Sequence, residues 1–187
     1  MIKKKPPEPA AYADFTGVHG RGTADDFLGI VGNHHVQMSA MADVKANIII
    51  TASSIVLTLA LSHVEDAGYR FTVTLLLPFV TLALLFAIIA VLPKHKTIPW
   101  AEDAVRPARF NIMFFGHFAS LPKERYLREM AEILKDDRAI YETMCEDLYG
   151  LGHYLDHYKY RYLRWSYCFF LAGFLLAAAS AALRAML

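Results

Sequence analysis

The chain has 187 residues, is 56% hydrophobic and carries a formal net charge of +1. A chain so apolar at this length does not read as a soluble domain, and its near-zero charge points to no polyanionic partner. Two cysteines, Cys145 and Cys168, fall in expected helices and supply neither a disulfide framework nor a metal framework.

Residues 1–22 are rich in Pro, Gly and Lys and read as a flexible tail. No apolar run follows MIKKKPPEP of the kind a cleavable signal peptide carries. Thr23 can cap a helix whose first turn holds Asp25 and Asp26, where negative charge suits the helix dipole. Phe27, Val31, His34, Met38 and Met41 recur at heptad-like steps. One helix over about 24–62 is expected, with 23–45 an amphipathic cytoplasmic half and 46–62 the first membrane span.

Within that span Asn47, Thr51, Ser54, Thr58 and Ser62 follow one another at steps of four, three, four and four, so they share one helical face. The other faces are Ile, Val and Leu. A membrane helix with one wet face can line an aqueous path, or it can hydrogen-bond to neighbouring helices. Asn47, Thr51, Ser54 and Thr58 are the candidate pore-lining set. Asp43 and Lys45 flank them and read either as a charged ring at a pore mouth or as ordinary interface anchors.

The loop 63–70 closes a helical hairpin, so 46–92 form a transmembrane pair, and Pro78 can kink its second helix. The apolar runs 46–62, 71–92 and 165–183 are 17, 22 and 19 residues long, against about 20 needed to cross a bilayer. Lys and Arg number five in residues 1–45, one in 63–70, twelve in 93–164 and one in the tail. By the positive-inside rule the N-terminal segment and 93–164 are expected in the cytoplasm of a bacterial cell, under its inner membrane.

Residues 93–164 read as a cytoplasmic helical domain. PKHKTIPW breaks the second span and a connector runs to Pro107. NIMFFGHF at 111–118 reads as a buried corner, with Asn111 capping, Gly116 turning and Phe114 and Phe115 packed. A helix is expected from about Pro122 to Lys135, and another restarts at Asp136 and Asp137. From Met144 a seam runs through Leu148, Leu151, Leu155, Tyr158 and Tyr162, then Trp165, Phe169, Ala172 and Leu176, at a period near 3.5. Tyr158, Tyr160, Tyr162, Trp165 and Tyr167 form an aromatic belt where the third span, 165–187, begins. Lys159, Arg161 and Arg164 interleave with it and suit lipid headgroups. The expected architecture is all-α: three transmembrane helices carrying a helical cytoplasmic stalk or cap. Its regular seams are shared between chains of a homo-oligomer, with a tetramer as the working stoichiometry.

Phosphate recognition needs cations and flat rings. Arg106, Arg109, Lys123, Arg125, Tyr126, Arg128 and Arg138 cluster in the sequence and are the candidate ligand-binding set. The interspersed Glu124, Glu129, Glu132, Asp136 and Asp137 allow the alternative of a solvated mixed face. His153 and His157 stand at zinc-compatible spacing, but no third ligand accompanies them. No phosphate-binding loop, hydrolase elbow or metalloprotease motif is present, so neither an enzyme nor a cofactor is expected.

ADVKAN at 42–47, NIMFFGHF at 111–118, LYGLG at 148–152 and KYRYLRWSY at 159–167 resemble the Pycsar-type transmembrane effector family of bacterial anti-phage defence. The resemblance covers about residues 25–185. It implies a membrane protein under the control of a nucleotide second messenger, paired with a nucleotide cyclase or nucleotidyltransferase, whose release damages the inner membrane. Related effectors under the same label include the Hailong type, a channel held shut by short DNA oligomers. The expected function is therefore a nucleotide- or oligonucleotide-controlled channel. The alternative is a non-conducting membrane scaffold whose cytoplasmic helices bind a partner protein.

Overall fold

The structure, a computed structural model, describes residues 22–93, 97–100, 106–107 and 110–186. Its elements are α1 (Gly22–Ser62), α2 (Arg70–Val91), α3 (Phe115–Phe118), α4 (Lys123–Ile133), α5 (Asp137–Tyr154), a π-helical turn (Leu155–Tyr160) and α6 (Arg161–Met186). No strand occurs among the described residues. Three helical stretches are long and apolar enough to cross a membrane: α1, α2 and the run of α5, π turn and α6. The described residues divide into two units, one drawn from 22–29 and 97–147, the other from 30–93 and 148–186.

The second unit is a helical bundle with small residues at its centre. α1 buries Ala42, Ala46, Ile49, Ser53 and Ala60, and α2 buries Val73, Val80, Ala83, Ala87 and Ala90. Small side chains let membrane helices approach closely, where dispersion has to replace the hydrophobic effect. A close approach occurs at Gly173 of α6, where an added Cβ would lie 2.8 Å from the Phe79 Cβ. Some buried polar groups find backbone or cross-helix partners, whereas Ser53 Oγ and His35 Nδ1 have no hydrogen-bond partner among the described residues. Ser166 Oγ donates to the Ala83 carbonyl at 2.7 Å, and Thr72 and Ser180 share a hydrogen bond of 2.9 Å. Arg184 donates to the Gly68 carbonyl and so ties the end of α6 to the loop between α1 and α2. Phe86 stacks on Phe169 at 5.4 Å and on Tyr162 at 6.3 Å. The large aliphatic residues Ile48, Ile55, Leu59, Leu171 and Leu175 point outward.

The seam expected from Met144 to Leu176 slips in this unit. Beyond Leu155 the buried positions are Lys159, Leu163, Ser166 and Gly173, whereas Tyr158 and Trp165 are exposed. The cause is the π turn, closed by a hydrogen bond from the Arg161 amide to the Asp156 carbonyl five residues back. One extra residue in a turn rotates everything after it by one position. Lys159, expected at the lipid headgroups, therefore turns inward and is only 9% exposed. On α1 the expected seam is also offset, with Phe27, His34 and Met41 exposed while Val31 and Met38 are half-buried.

The first unit is built around Phe110, Ile112 and Tyr141, which are buried. Trp100 meets Phe110 edge-on at 4.9 Å, and the Arg125 guanidinium lies 4.1 Å from the Trp100 ring centre. The Asn111 amide N–H donates to His117 Nδ1 at 2.9 Å, while its side-chain Nδ2 donates to Asp147 Oδ1 at 2.6 Å. Burial lowers the His117 pKa below its ordinary 6.5. The Tyr141 hydroxyl donates to Asp25 at 2.7 Å. The buried corner exists, but Phe110 and Ile112 fill it. Phe115 is 57% exposed, and Gly116 lies inside α3 rather than in a left-handed turn. The run NIMFFGHF alternates rather than burying its two central rings, because Asn111 turns the chain there: its Oδ1 accepts from the Met113 amide.

Candidate functional site

At about 100° per residue, Asn47, Thr51, Ser54 and Thr58 point roughly 140° away from the buried Ala42, Ala46, Ile49, Ser53 and Ala60. All four are exposed. The stripe therefore lies outside the buried interior of its own chain. Two of its hydroxyls fold back on the helix: Ser54 Oγ donates to the Ile50 carbonyl at 2.8 Å, and Thr58 Oγ1 to the Ser54 carbonyl at 3.0 Å. Such back-bonding satisfies the hydroxyl proton and leaves oxygen lone pairs facing outward.

Asp43 and Lys45 do not share a face. Asp43 lies roughly 50° from the stripe direction and Lys45 roughly 150° from it. The Asp43 carboxylate is also engaged. Lys159 Nζ donates to both of its oxygens at 2.7 Å and to Ser39 Oγ at 2.8 Å. The Lys159 side chain is 11% exposed and the Asp43 side chain 42%. This cluster sits where the π turn meets α1. Next to it the Tyr160 hydroxyl donates to the Met38 carbonyl at 3.0 Å. Sequence reasoning missed the cluster. Ser39 and Asp43 at a four-residue step were a legible half of it, but the inward turn of Lys159 had no local signal.

The candidate ligand residues that are described mostly have partners of their own. Arg106 is spent on the Phe110 carbonyl, with Nη2 at 3.0 Å. Arg125 covers Trp100, Tyr126 lies tilted against Phe118 at 4.9 Å, and Arg138 pairs with Glu142 at 2.8 Å. Lys123 and Arg128 are exposed on α4, roughly 140° apart around the helix. Arg109 lies outside the described residues. His153 and His157 stack at 4.0 Å with planes 8° apart. Both cysteines are free thiols.

These features define an all-helical protein with three helices able to cross a membrane, a small-residue bundle and a polar stripe left outside it. The profile of the Pycsar effector protein domain matches residues 26–185, and the chain belongs to that family. A Pycsar effector with membrane-spanning helices fits a membrane effector of anti-phage defence that works with cyclic-nucleotide signalling. Comparison with curated proteins and with solved structures returns no match.

Proposed function

We propose that the protein is an oligomeric channel of the bacterial inner membrane, controlled by a nucleotide or short oligonucleotide ligand and lined by the outward stripe of α1. The observation that carries this reading is the exposure of Asn47, Thr51, Ser54 and Thr58 on the side of α1 opposite its own bundle. Polar side chains on a lipid-facing surface are unfavourable, so a second helix or water has to cover them. Copies of α1 around a common axis supply both, and a tetramer is the working stoichiometry. Membership of the Pycsar effector family supports control by a nucleotide made by a partner cyclase or nucleotidyltransferase. Lys123 and Arg128 are the exposed cations of α4 on which a phosphate-bearing ligand would depend.

The test is ion flux into liposomes carrying purified protein. Replacing Thr51, Ser54 and Thr58 together by Leu dries the path and is expected to cut flux at least a hundredfold. Membrane insertion persists, because Leu favours the bilayer core. A triple variant that stays assembled and still conducts overturns the assignment.

A second reading, the non-conducting scaffold, draws on the back-bonded Ser54 and Thr58 hydroxyls, which do not require water. It expects no flux from the wild type, and loss of the oligomer in the triple variant on size-exclusion chromatography.

A further inference from the structure

Two cations that the sequence keeps more than a hundred positions apart meet in one groove of the helical bundle. Lys45 is the last residue before the first apolar run, and Arg164 is the last before the third. Lys45, Tyr160, Leu163, Arg164 and Tyr167 together line a cavity of about 390 Å³. That size is within the roughly 300–1,000 Å³ typical of small-molecule sites. The Tyr167 hydroxyl makes a long, exposed contact of 3.4 Å with the Lys45 carbonyl at the groove's edge.

Its charge is uncompensated. Lys45 and Arg164 are both exposed, and among the described residues neither pairs with a carboxylate. The nearby acid, Asp43, is held by Lys159 through both oxygens. At this level of the bundle one neutralised cation, Lys159, faces inward, and two cations on separate helices, Lys45 of α1 and Arg164 of α6, line the groove. The floor is Leu163, 4% exposed, and the walls are tyrosines, the ring type that settles at the headgroup level of a bilayer.

We infer that this groove binds the phosphodiester of an anionic phospholipid. Arg164 can meet two phosphate oxygens with its fork, and Lys45 supplies a second positive charge. Basic pockets between membrane helices hold anionic headgroups by this means. The position favours a lipid over a soluble phosphate, because each cation immediately precedes an apolar run of a helix long and apolar enough to cross a membrane, and Leu163 gives the groove an apolar floor. Lys45 points roughly 150° away from the polar stripe. The groove is therefore independent of the channel reading, and either can fail without the other.

The test is native mass spectrometry of the full-length protein in detergent, titrated with phosphatidylglycerol or with phosphatidylcholine. Wild type is expected to retain one phosphatidylglycerol per chain and to release phosphatidylcholine. Lys45→Gln with Arg164→Gln is expected to weaken phosphatidylglycerol retention about thirtyfold, roughly the summed contribution of two cations near a membrane surface. Arg161→Gln removes an exposed cation at the same level but outside the groove, and retention should stay within about twofold. Arg164→Lys keeps the charge but loses the fork and should fall between wild type and the double variant, and size-exclusion chromatography confirms that each variant is monodisperse. Equal loss in Arg161→Gln reduces the effect to diffuse border charge and overturns the site. Equal retention of phosphatidylcholine overturns it as well. Displacement of the lipid by millimolar inorganic phosphate alone would make it a simple anion site and overturn the lipid assignment.

Discussion

The two units bury opposite kinds of residue. In the bundle unit the buried positions are mostly Ala, Gly and Ser, and the large aliphatics Ile55, Leu171 and Leu175 are exposed. In the other unit the buried positions are Phe110, Ile112, Tyr141 and Thr143, and Lys123, Glu124, Arg128 and Glu132 of α4 lie outside. The second pattern is what water enforces, since large apolar side chains gain most by leaving it. The first is what hydrocarbon allows: bulk on the outside costs nothing there, and close helix contact needs small residues. One chain thus carries two solvents' rules, and the polar stripe of α1 breaks the rule of the unit that bears it. That violation makes the stripe the functional candidate.

The contrast can be broken most directly by paired truncations. Ile112→Ala opens a cavity in a core where Ile112 is 0% exposed, and should cost about 3 kcal/mol of stability. Leu175→Ala removes a side chain that is 61% exposed, and should change stability by less than about 0.5 kcal/mol in detergent. Thermal unfolding of the two variants side by side measures the difference. Equal costs would mean that the outward aliphatics of the bundle are packed after all.

A second test reverses the size argument. Ala46 is 0% exposed on the inward face of α1, and Ala46→Phe should destabilise the bundle by about 2 kcal/mol through overpacking. Gly173→Ala should act in the same direction, because its Cβ would stand 2.8 Å from the Phe79 Cβ. The readout is loss of the monodisperse peak after mild heating.

The Asp43–Lys159 pair is the one charged contact inside the bundle unit's inward face, among the described residues. Asp43→Asn leaves a largely buried ammonium without its counter-charge. The expected cost is about 1–2 kcal/mol, below the fully buried case because the carboxylate side is 42% exposed. Lys159→Met in the same background should recover much of the loss, and failure to do so would show that the pair does more than neutralise charge.

The smallest effect belongs to His117. Its pKa is lowered by burial, so the folded unit binds the proton less well than the unfolded chain does. The contribution is complete above the ordinary 6.5 and is lost as pH falls through the lowered folded value. Amide protection factors over residues 110–118, taken relative to the intrinsic exchange rate at each pH, should drop between pH 7 and pH 5, and His117→Asn should flatten that response while keeping an acceptor for the Asn111 amide.

Much of this protein was legible without coordinates. Three apolar runs of bilayer length, the single helix through Ser62 and the polar period in 46–62 follow from composition and spacing, because hydropathy and the 3.6-residue turn act locally. The four stripe residues could be placed on one face of α1, but not on the side away from its own bundle. That side was decided by Ala42 and Ala46 meeting Ala90 and Leu163, residues that sequence spacing does not connect. The π turn at Leu155–Tyr160 was invisible, since it leaves no periodic mark before it happens and displaces every position after it. It turned Lys159 from a surface cation into the inward partner of Asp43, and it brought Arg164 to Lys45. The candidate ligand cations dispersed for the same reason: proximity in sequence puts charges on one stretch of chain, and only tertiary contacts decide which of them a ring, a carbonyl or a carboxylate has already taken. Sequence alone determined which segments could cross a membrane. Tertiary structure decided which faces remained open, because helix orientation is set by small-residue contacts between segments far apart in the chain.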